Sequence, residues 1–271
     1  MTLVSTQWLI NNIDKVRVID CSWHLPDKKR NPYQEFVKEH IPGATFFDLD
    51  KNSNQNTDLP HMLPNKRNWE ISLKIMGINE NDRIIIYDNS DLISSCRCWF
   101  MFIFFGHNPA LVSVLNGGLK KWKLEKKPTT NKISTFDYSD YLAKEKKDMI
   151  KSKIEIDTNI ETTEFQIIDA RSKNRFDGLE KEPRKNVRSG SIPNSFCLPF
   201  RELINDDNSF KSVDEISKKF NEISKNKNSA NLVMSCGSGV TACVLALAYS
   251  LIDNTYKPKI YDGSWSEFGK I

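Results

Sequence analysis

Short apolar runs alternate with helical patterns along this chain. β-Branched and aliphatic residues dominate six such runs, at positions 16–19, 83–87, 111–115, 165–168, 232–235 and 259–261. After Gly239, apolar residues recur at helical spacing, as in Val240, Cys243, Val244 and Leu247. Strands that alternate with helices are typical of βαβ units, so the pattern predicts an α/β protein built on mostly parallel sheets.

The pattern occurs twice, in the same order. VRVIDCSW in the first half matches FQIIDARS in the second, HIPGATFF matches SIPNSFCL, and DRIIIYDNSD matches NLVMSCGSG. SVLNGGLKKW likewise matches PKIYDGSWSEF, and the matches place Asp88 opposite Cys236. A nearly constant interval between matched blocks in the same order indicates a duplicated domain. We therefore predict one α/β domain over 1–124, a polar linker over 125–160 and a second α/β domain over 161–271.

Composition excludes several classes of protein. Lys and Arg total 39 against 35 Asp and Glu, so the net charge of +4 does not suggest nucleic-acid binding. The longest apolar run, 98–105, is too short to cross a bilayer, and the first residues lack a signal-peptide pattern. We expect a cytoplasmic protein whose cysteines are free thiols. Cys96 and Cys98 lack further ligands at zinc spacing, so we predict a buried helix there and no metal site.

The strongest candidate for chemistry is Cys236. It directly follows the strand predicted over 232–235 and begins the sequence Cys-Gly-Ser-Gly-Val-Thr, which leads into the predicted helix. Gly237 and Gly239 permit backbone conformations in which successive N–H groups up to Val240 and Thr241 turn toward one atom. These dipoles and the helix N-terminus favour an anion, so the cysteine is predicted to be a nucleophilic thiolate. A small buried cysteine in a tight turn is the alternative interpretation.

Several motifs together resemble the 3-mercaptopyruvate sulfurtransferases of the rhodanese superfamily. They are CGSGVTAC at 236–243, the HIPGA and SIPNS blocks, HMLP at 61–64, EPR at 182–184 and YDGSWSEFG at 261–269. The resemblance covers the whole chain and implies two tandem rhodanese-like domains. Because Asp88 replaces the nucleophile in the first copy, that copy is expected to be catalytically silent. Ile93-Ser-Ser-Cys-Arg97 departs from the family, in which an aromatic residue often precedes Ser-Ala-Pro-Arg.

The resemblance also implies roles for individual residues. Arg175 and Arg184 would bind the carboxylate and carbonyl of the substrate, a task that suits the planar guanidinium fork. Asp50, His61 and Ser238 would assist proton transfer. Arg188 is a rival for the substrate, whereas Arg171, at the end of a strand, is predicted to be a structural ion-pair partner.

The predicted function is therefore transfer of sulfur from 3-mercaptopyruvate through a Cys236 persulfide, with release of pyruvate. The acceptor would be a small thiol, a thioredoxin-like protein or cyanide, and no cofactor is expected. A thiosulfate sulfurtransferase is the first alternative, although Gly237 and Ser238 stand where those relatives typically carry basic residues. A phosphatase loop needs an arginine at position 242, which is Ala242 here. A non-catalytic persulfide carrier remains open, but it would have no use for the two arginines.

Overall fold

The computed structural model describes residues 1–223 and 231–271. They form two compact units. The N-terminal unit comprises Met1–Gln55, Leu63–Lys146 and Asp206–Ser209. The C-terminal unit comprises Asn56–Met62, Lys147–Asn205 and Phe210–Ile271. Each unit thus includes one short segment from the other half of the chain, and His61 belongs to the C-terminal unit.

The N-terminal unit contains a five-stranded parallel sheet. Its strands are β1 (Leu3–Val4), β2 (Arg17–Asp20), β3 (Ala44–Phe46), β4 (Ile84–Tyr87) and β5 (Val112–Leu115), in the order β1-β5-β4-β2-β3. Its helices are α1 (Thr6–Asn12), α2 (Pro32–Lys38), α3 (Lys66–Ile75), α4 (Ser95–Phe104) and α5 (Gly118–Leu124). All four residues of β4 are buried, as expected for a central strand covered by helices on both faces.

The C-terminal unit repeats this arrangement. Its strands are β6 (Ile150–Lys151), β7 (Gln166–Asp169), β8 (Phe196–Cys197), β9 (Leu232–Ser235) and β10 (Ile260–Tyr261), in the order β6-β10-β9-β7-β8. Its helices are α6 (Lys153–Thr162), α7 (Lys173–Phe176), α8 (Val213–Ile223), α9 (Ala242–Ile252) and α10 (Ser264–Phe268). Equivalent strands occupy equivalent places in the two sheets, so the duplication and the α/β fold predicted from the sequence are confirmed.

The boundary between the two halves differs from the sequence prediction. Residues 125–146 belong to the N-terminal unit, whereas the polar stretch that follows forms β6 and α6 of the C-terminal unit. Ser152 begins α6 with a capping box, in which its side chain and Glu155 satisfy each other's backbone N–H groups. The predicted linker over 125–160 is therefore too long at its C-terminal end, because a two-residue strand and a charged helix carry little hydrophobic pattern.

Helix α4 accounts for the two closely spaced cysteines. Cys96 and Cys98 are fully buried on it, as predicted for a core helix. All six cysteines of the chain are free thiols. Within 1–223 and 231–271, no helix combines the length and apolar character needed to cross a membrane.

Candidate functional site

Cys236 lies at the carboxyl end of β9. This strand pairs in parallel with β7 and β10. The residue after Ser235 therefore lies at the carboxyl end of the sheet, where α/β proteins bind ligands. The thiol is buried, with 1% of the residue exposed. Its backbone is held on both sides: Cys236 N–H donates to Ser264 Oγ at 3.1 Å, and its carbonyl accepts from Trp265 N–H at 2.9 Å. The nucleophile candidate is therefore rigidly placed.

The loop after Cys236 has the form of a backbone nest. Gly239 has a φ of 76°, a left-handed conformation that glycine adopts without strain. Thr241 then leads directly into α9. Across the part of the chain that the structure describes, no acceptor pairs with the backbone N–H groups of Gly237, Ser238, Val240 and Thr241. Ser238 and Val240 are buried and Gly237 and Thr241 half-buried, so donors without partners are costly here and the loop is suited to hold an anion.

Two guanidinium groups flank Gly237. A β-carbon at that position would lie 3.2 Å from Arg175 Nη2 and 3.3 Å from Arg184 Nη1. Any larger side chain would displace one of them. Glycine therefore lets both cations approach the backbone of the loop, beside the cysteine.

Ser238 links one of these arginines to a histidine. Arg184 Nη2 donates to Ser238 Oγ at 3.0 Å, and Ser238 Oγ lies 2.9 Å from His61 Nδ1. Because arginine can only donate, the serine oxygen accepts from it and can pass its own hydrogen to the imidazole. His61 is buried and has a φ of 60°, an unusual backbone conformation for a residue other than glycine. Strain of this kind is often found at functional sites.

Electrostatics around Arg184 reflect its burial. Loss of solvent lowers the pKa of its guanidinium, and the nearby charge of Arg175 acts in the same direction. The charges of Cys236 and Glu182 act in the opposite direction. A cation that is poorly solvated and close to a cysteine is ready to receive a negatively charged ligand.

Arg175 is held by Glu182. The guanidinium donates from Nη2 to Glu182 Oε2 at 2.6 Å and from Nε to Oε1 at 3.2 Å. Glu182 Oε1 also accepts from Arg171 Nη1 at 2.7 Å. Sequence reasoning quoted Glu182 within its EPR motif but assigned it no role, since only the fold brings position 182 beside position 175.

Arg171 and Arg188, the remaining arginines considered for the site, contact other side chains. Arg171 forms an ion pair with Asp169, at 2.7 Å between Nη2 and Oδ2, as its place at the end of β7 predicted. Arg188 stacks on the ring of Trp265, 4.6 Å from its centroid, and also contacts Phe268. Stacking of this kind stabilises structure, so Arg188 is a weaker candidate for the substrate than Arg175 and Arg184.

Ser264 is a site residue that sequence reasoning missed. It is fully buried with a φ of 48°, and its hydroxyl accepts from Cys236 N–H and lies 4.0 Å from Cys236 Sγ. The equivalent residue of the first copy is Gly118, which has a φ of 54°. The repeat alignment held a signal: a serine replaces glycine where the backbone is left-handed, which is costly unless the side chain has a use.

The N-terminal unit has a carboxylate where the C-terminal unit has the thiol. Asp88 is buried and accepts from the backbone N–H groups of Ser90 and Ser95. Burial raises the pKa of this carboxyl group, and the hydrogen bonds from Ser95 and Ser90 oppose that effect. These backbone N–H groups are thus already paired with a side chain of the same loop.

Asp50 belongs to the N-terminal unit, where its carboxylate accepts from the Trp23 indole N–H at 2.9 and 3.0 Å. The other candidates lie together in the C-terminal unit: Cys236, Gly237, Ser238, Gly239, Val240, Thr241, Arg175, Arg184 and His61.

Comparison with known proteins agrees with this architecture. The model of the rhodanese-like domain matches residues 5–125 and 152–270. A relative named thiosulfate/3-mercaptopyruvate sulfurtransferase 1, mitochondrial, from Arabidopsis thaliana is 37% identical over 98% of this chain and 75% of its own length. The protein named 3-mercaptopyruvate sulfurtransferase in Mus musculus is 37% identical over 98% of this chain and 91% of its own length.

A solved structure has the same fold over the same extent. The crystal structure of SseA from Escherichia coli, described as a 3-mercaptopyruvate sulfotransferase, superposes with a TM-score of 0.86. It is 31% identical in sequence, and the match covers 98% of this chain and 99% of that one. With two matched domains and relatives above 30% identity along nearly its whole length, the chain belongs to the rhodanese family, in the tandem-domain group that includes the 3-mercaptopyruvate sulfurtransferases.

Proposed function

We propose that this protein is a 3-mercaptopyruvate sulfurtransferase in which Cys236 carries the sulfur as a persulfide. The observation that carries the proposal is the pair of guanidinium groups against Gly237, directly beside a buried cysteine at the carboxyl end of β9. A 2-oxo acid that bears a thiol matches this arrangement, because its carboxylate and carbonyl can meet the arginines while its sulfur reaches Cys236.

In the first half-reaction the Cys236 thiolate attacks the sulfur of the donor. An S–S bond forms, the C–S bond of 3-mercaptopyruvate breaks, and its electron pair remains on carbon as the enolate of pyruvate. Arg175 and Arg184 stabilise the negative charge on the enolate oxygen and carboxylate. Protonation of the enolate carbon then gives pyruvate, and Ser238 with His61 is the proton path that supports this step.

In the second half-reaction an acceptor takes the outer sulfur. An acceptor thiolate, free or on a thioredoxin-like protein, attacks that atom, the S–S bond of the enzyme breaks, and Cys236 leaves as thiolate. Cyanide gives thiocyanate in the same way. Between the two steps, the unpaired N–H groups of Gly237, Ser238, Val240 and Thr241 support a persulfide anion in the nest.

Asp50 remains the predicted third member of the proton relay. A cytoplasmic location and an N-terminal copy without catalytic activity also stay predictions. Asp88, which replaces the cysteine and takes up donors of its own loop, supports the second of these.

Thiosulfate is the second candidate donor, because the Arabidopsis thaliana relative is named for both substrates. The deciding experiment is a steady-state assay of the purified protein with each donor in parallel and cyanide as the common acceptor. We expect a higher kcat/KM with 3-mercaptopyruvate and stoichiometric pyruvate. A preference for thiosulfate would reassign the donor, and no transfer from either would leave a carrier that is loaded by another protein.

A further inference from the structure

Four side chains of the C-terminal unit form a line of alternating charge, here called the charge ladder. It runs from Asp169 through Arg171 and Glu182 to Arg175. Arg171 lies 2.7 Å from Asp169 and 2.7 Å from Glu182, and Arg175 lies 2.6 Å from Glu182. The ladder therefore connects the end of β7 to one of the two guanidinium groups at Gly237.

The ladder is largely shielded from solvent. The exposed fractions of the Asp169, Arg171 and Glu182 side chains are only 2%, 1% and 2%, whereas Arg175, at the end near Gly237, is 21% exposed. Charges in such surroundings are screened weakly and act over longer distances than surface charges do.

The four charges of the ladder cancel. Arg184, on the loop beside Gly237, adds one positive charge that has a neutral partner, the Ser238 hydroxyl. The ladder and Arg184 together thus present two guanidinium groups near Gly237 but a net charge of only one positive. Cys236 is left out of this count because it is the group with which the donor reacts. At neutral pH, 3-mercaptopyruvate with a protonated thiol carries one negative charge, whereas thiosulfate carries two.

We propose that Glu182 determines donor specificity by setting this balance, an inference that rests on the proposed function. Its carboxylate aims Arg175 through two hydrogen bonds and, by cancelling one cation, matches the site to a donor with a single negative charge. Thiosulfate bound there gains less electrostatic stabilisation than it would beside two uncompensated arginines. Its second negative charge has no positive partner in poorly solvated surroundings.

The test changes one charge of the ladder at a time. Glu182→Gln keeps the size of the side chain and raises the balance by one, so the ratio of kcat/KM for thiosulfate to that for 3-mercaptopyruvate should rise on the order of tenfold. Arg171→Gln lowers the balance by one at a residue without a proposed substrate contact, so the same ratio should fall. Glu180→Gln is the matched control, since Glu180 is exposed, lies two residues away and is outside the ladder. Its ratio should stay within about twofold of wild type.

Glu182→Gln and Arg171→Gln are both made so that the test does not depend on the folding of one variant. Thermal melts show which of them is folded, and the kcat/KM ratio is compared only for folded protein. Opposite shifts of the ratio, or the expected shift in the one that folds, support the proposal. If both donors lose activity equally, Glu182 has a structural role only and the proposal is wrong. Failure of the wild type to use 3-mercaptopyruvate would instead overturn the proposed function, so the two failures are distinguishable.

Discussion

Arg184 donates a hydrogen bond of 3.0 Å to the hydroxyl of Ser238, which in turn lies 2.9 Å from His61. A residue expected to hold the substrate is thereby joined to residues expected to move a proton. We expect a substrate carbonyl that takes over part of the guanidinium to leave the serine freer to exchange hydrogen with the imidazole. The proposed substrate binding and proton transfer would then be coupled through this one contact.

Loss of the Cys236 thiol should abolish sulfur transfer while the fold persists. Serine in Cys236→Ser is nearly isosteric but cannot form a persulfide, so the mass of the intact protein should gain one sulfur atom on incubation with donor in wild type only. Cys243→Ser is the natural comparison, because Cys243 is buried on α9 and donates its S–H to Gly239 O. If Cys236→Ser gains the same mass as wild type, another cysteine carries the sulfur.

Each arginine beside Gly237 should contribute separately to use of 3-mercaptopyruvate. A charge-assisted hydrogen bond is worth about 1.5 to 3 kcal/mol, so Arg175→Ala and Arg184→Ala should each lower kcat/KM by roughly tenfold to a hundredfold or more. Arg184→Ala should also change the pH profile, since Ser238 loses its donor. Arg188→Ala serves as the control: it removes a guanidinium that stacks on Trp265. If Arg175→Ala and Arg184→Ala both keep wild-type kinetics, other residues bind the substrate carboxylate, and Arg188 is the next candidate.

Replacement of Gly237 and Ser238 by Arg and Lys should shift the enzyme toward thiosulfate. Added cations favour a dianion, and a side chain at position 237 must push aside Arg175 and Arg184, to which its β-carbon would come within 3.2 and 3.3 Å. We expect lower kcat/KM with 3-mercaptopyruvate and higher kcat/KM with thiosulfate. Gly237→Ala separates displacement of the arginines from added charge. It should lower kcat/KM with 3-mercaptopyruvate without raising kcat/KM with thiosulfate. A ratio that fails to move in the double variant would show that loop charge does not select the donor.

The N-terminal unit should lose stability as the pH rises toward neutrality. Burial raises the pKa of Asp20 from 3.8 to about 7, against opposing hydrogen bonds from Ser22 and Tyr87. A carboxyl group whose folded pKa is raised stabilises the fold most at low pH. That contribution is lost between about pH 4 and 7, because the group is then ionised in the unfolded chain but still protonated in the folded one. Asp20→Asn, which keeps an acceptor for Ser22 N–H, should therefore melt several degrees higher than wild type at pH 8. The difference should shrink at pH 5, and an equal shift at both pH values would contradict the assignment.

The amino-acid sequence by itself determined the larger part of this protein. Six apolar runs became β2, β4, β5, β7, β9 and β10, within one or two residues of the predicted limits, because central strands buried on both faces must be continuously apolar. The four edge strands, β1, β3, β6 and β8, were not predicted, since two or three residues carry no recognisable period. The motif around Cys236 likewise indicated a reactive cysteine because its glycines and the helix that follows are local features.

Only the tertiary structure decided which distant side chains surround that cysteine. His61 was assigned to the first domain from its position in the chain, yet the segment Asn56–Met62 belongs to the C-terminal unit, where the imidazole reaches Ser238. The sequence also did not predict the partnership of Glu182 with Arg171 and Arg175 or the contact of Ser264 with Cys236. Local sequence patterns specify strands, turns and helices, but side chains from separate loops meet only where long-range packing brings those loops to the same end of a sheet.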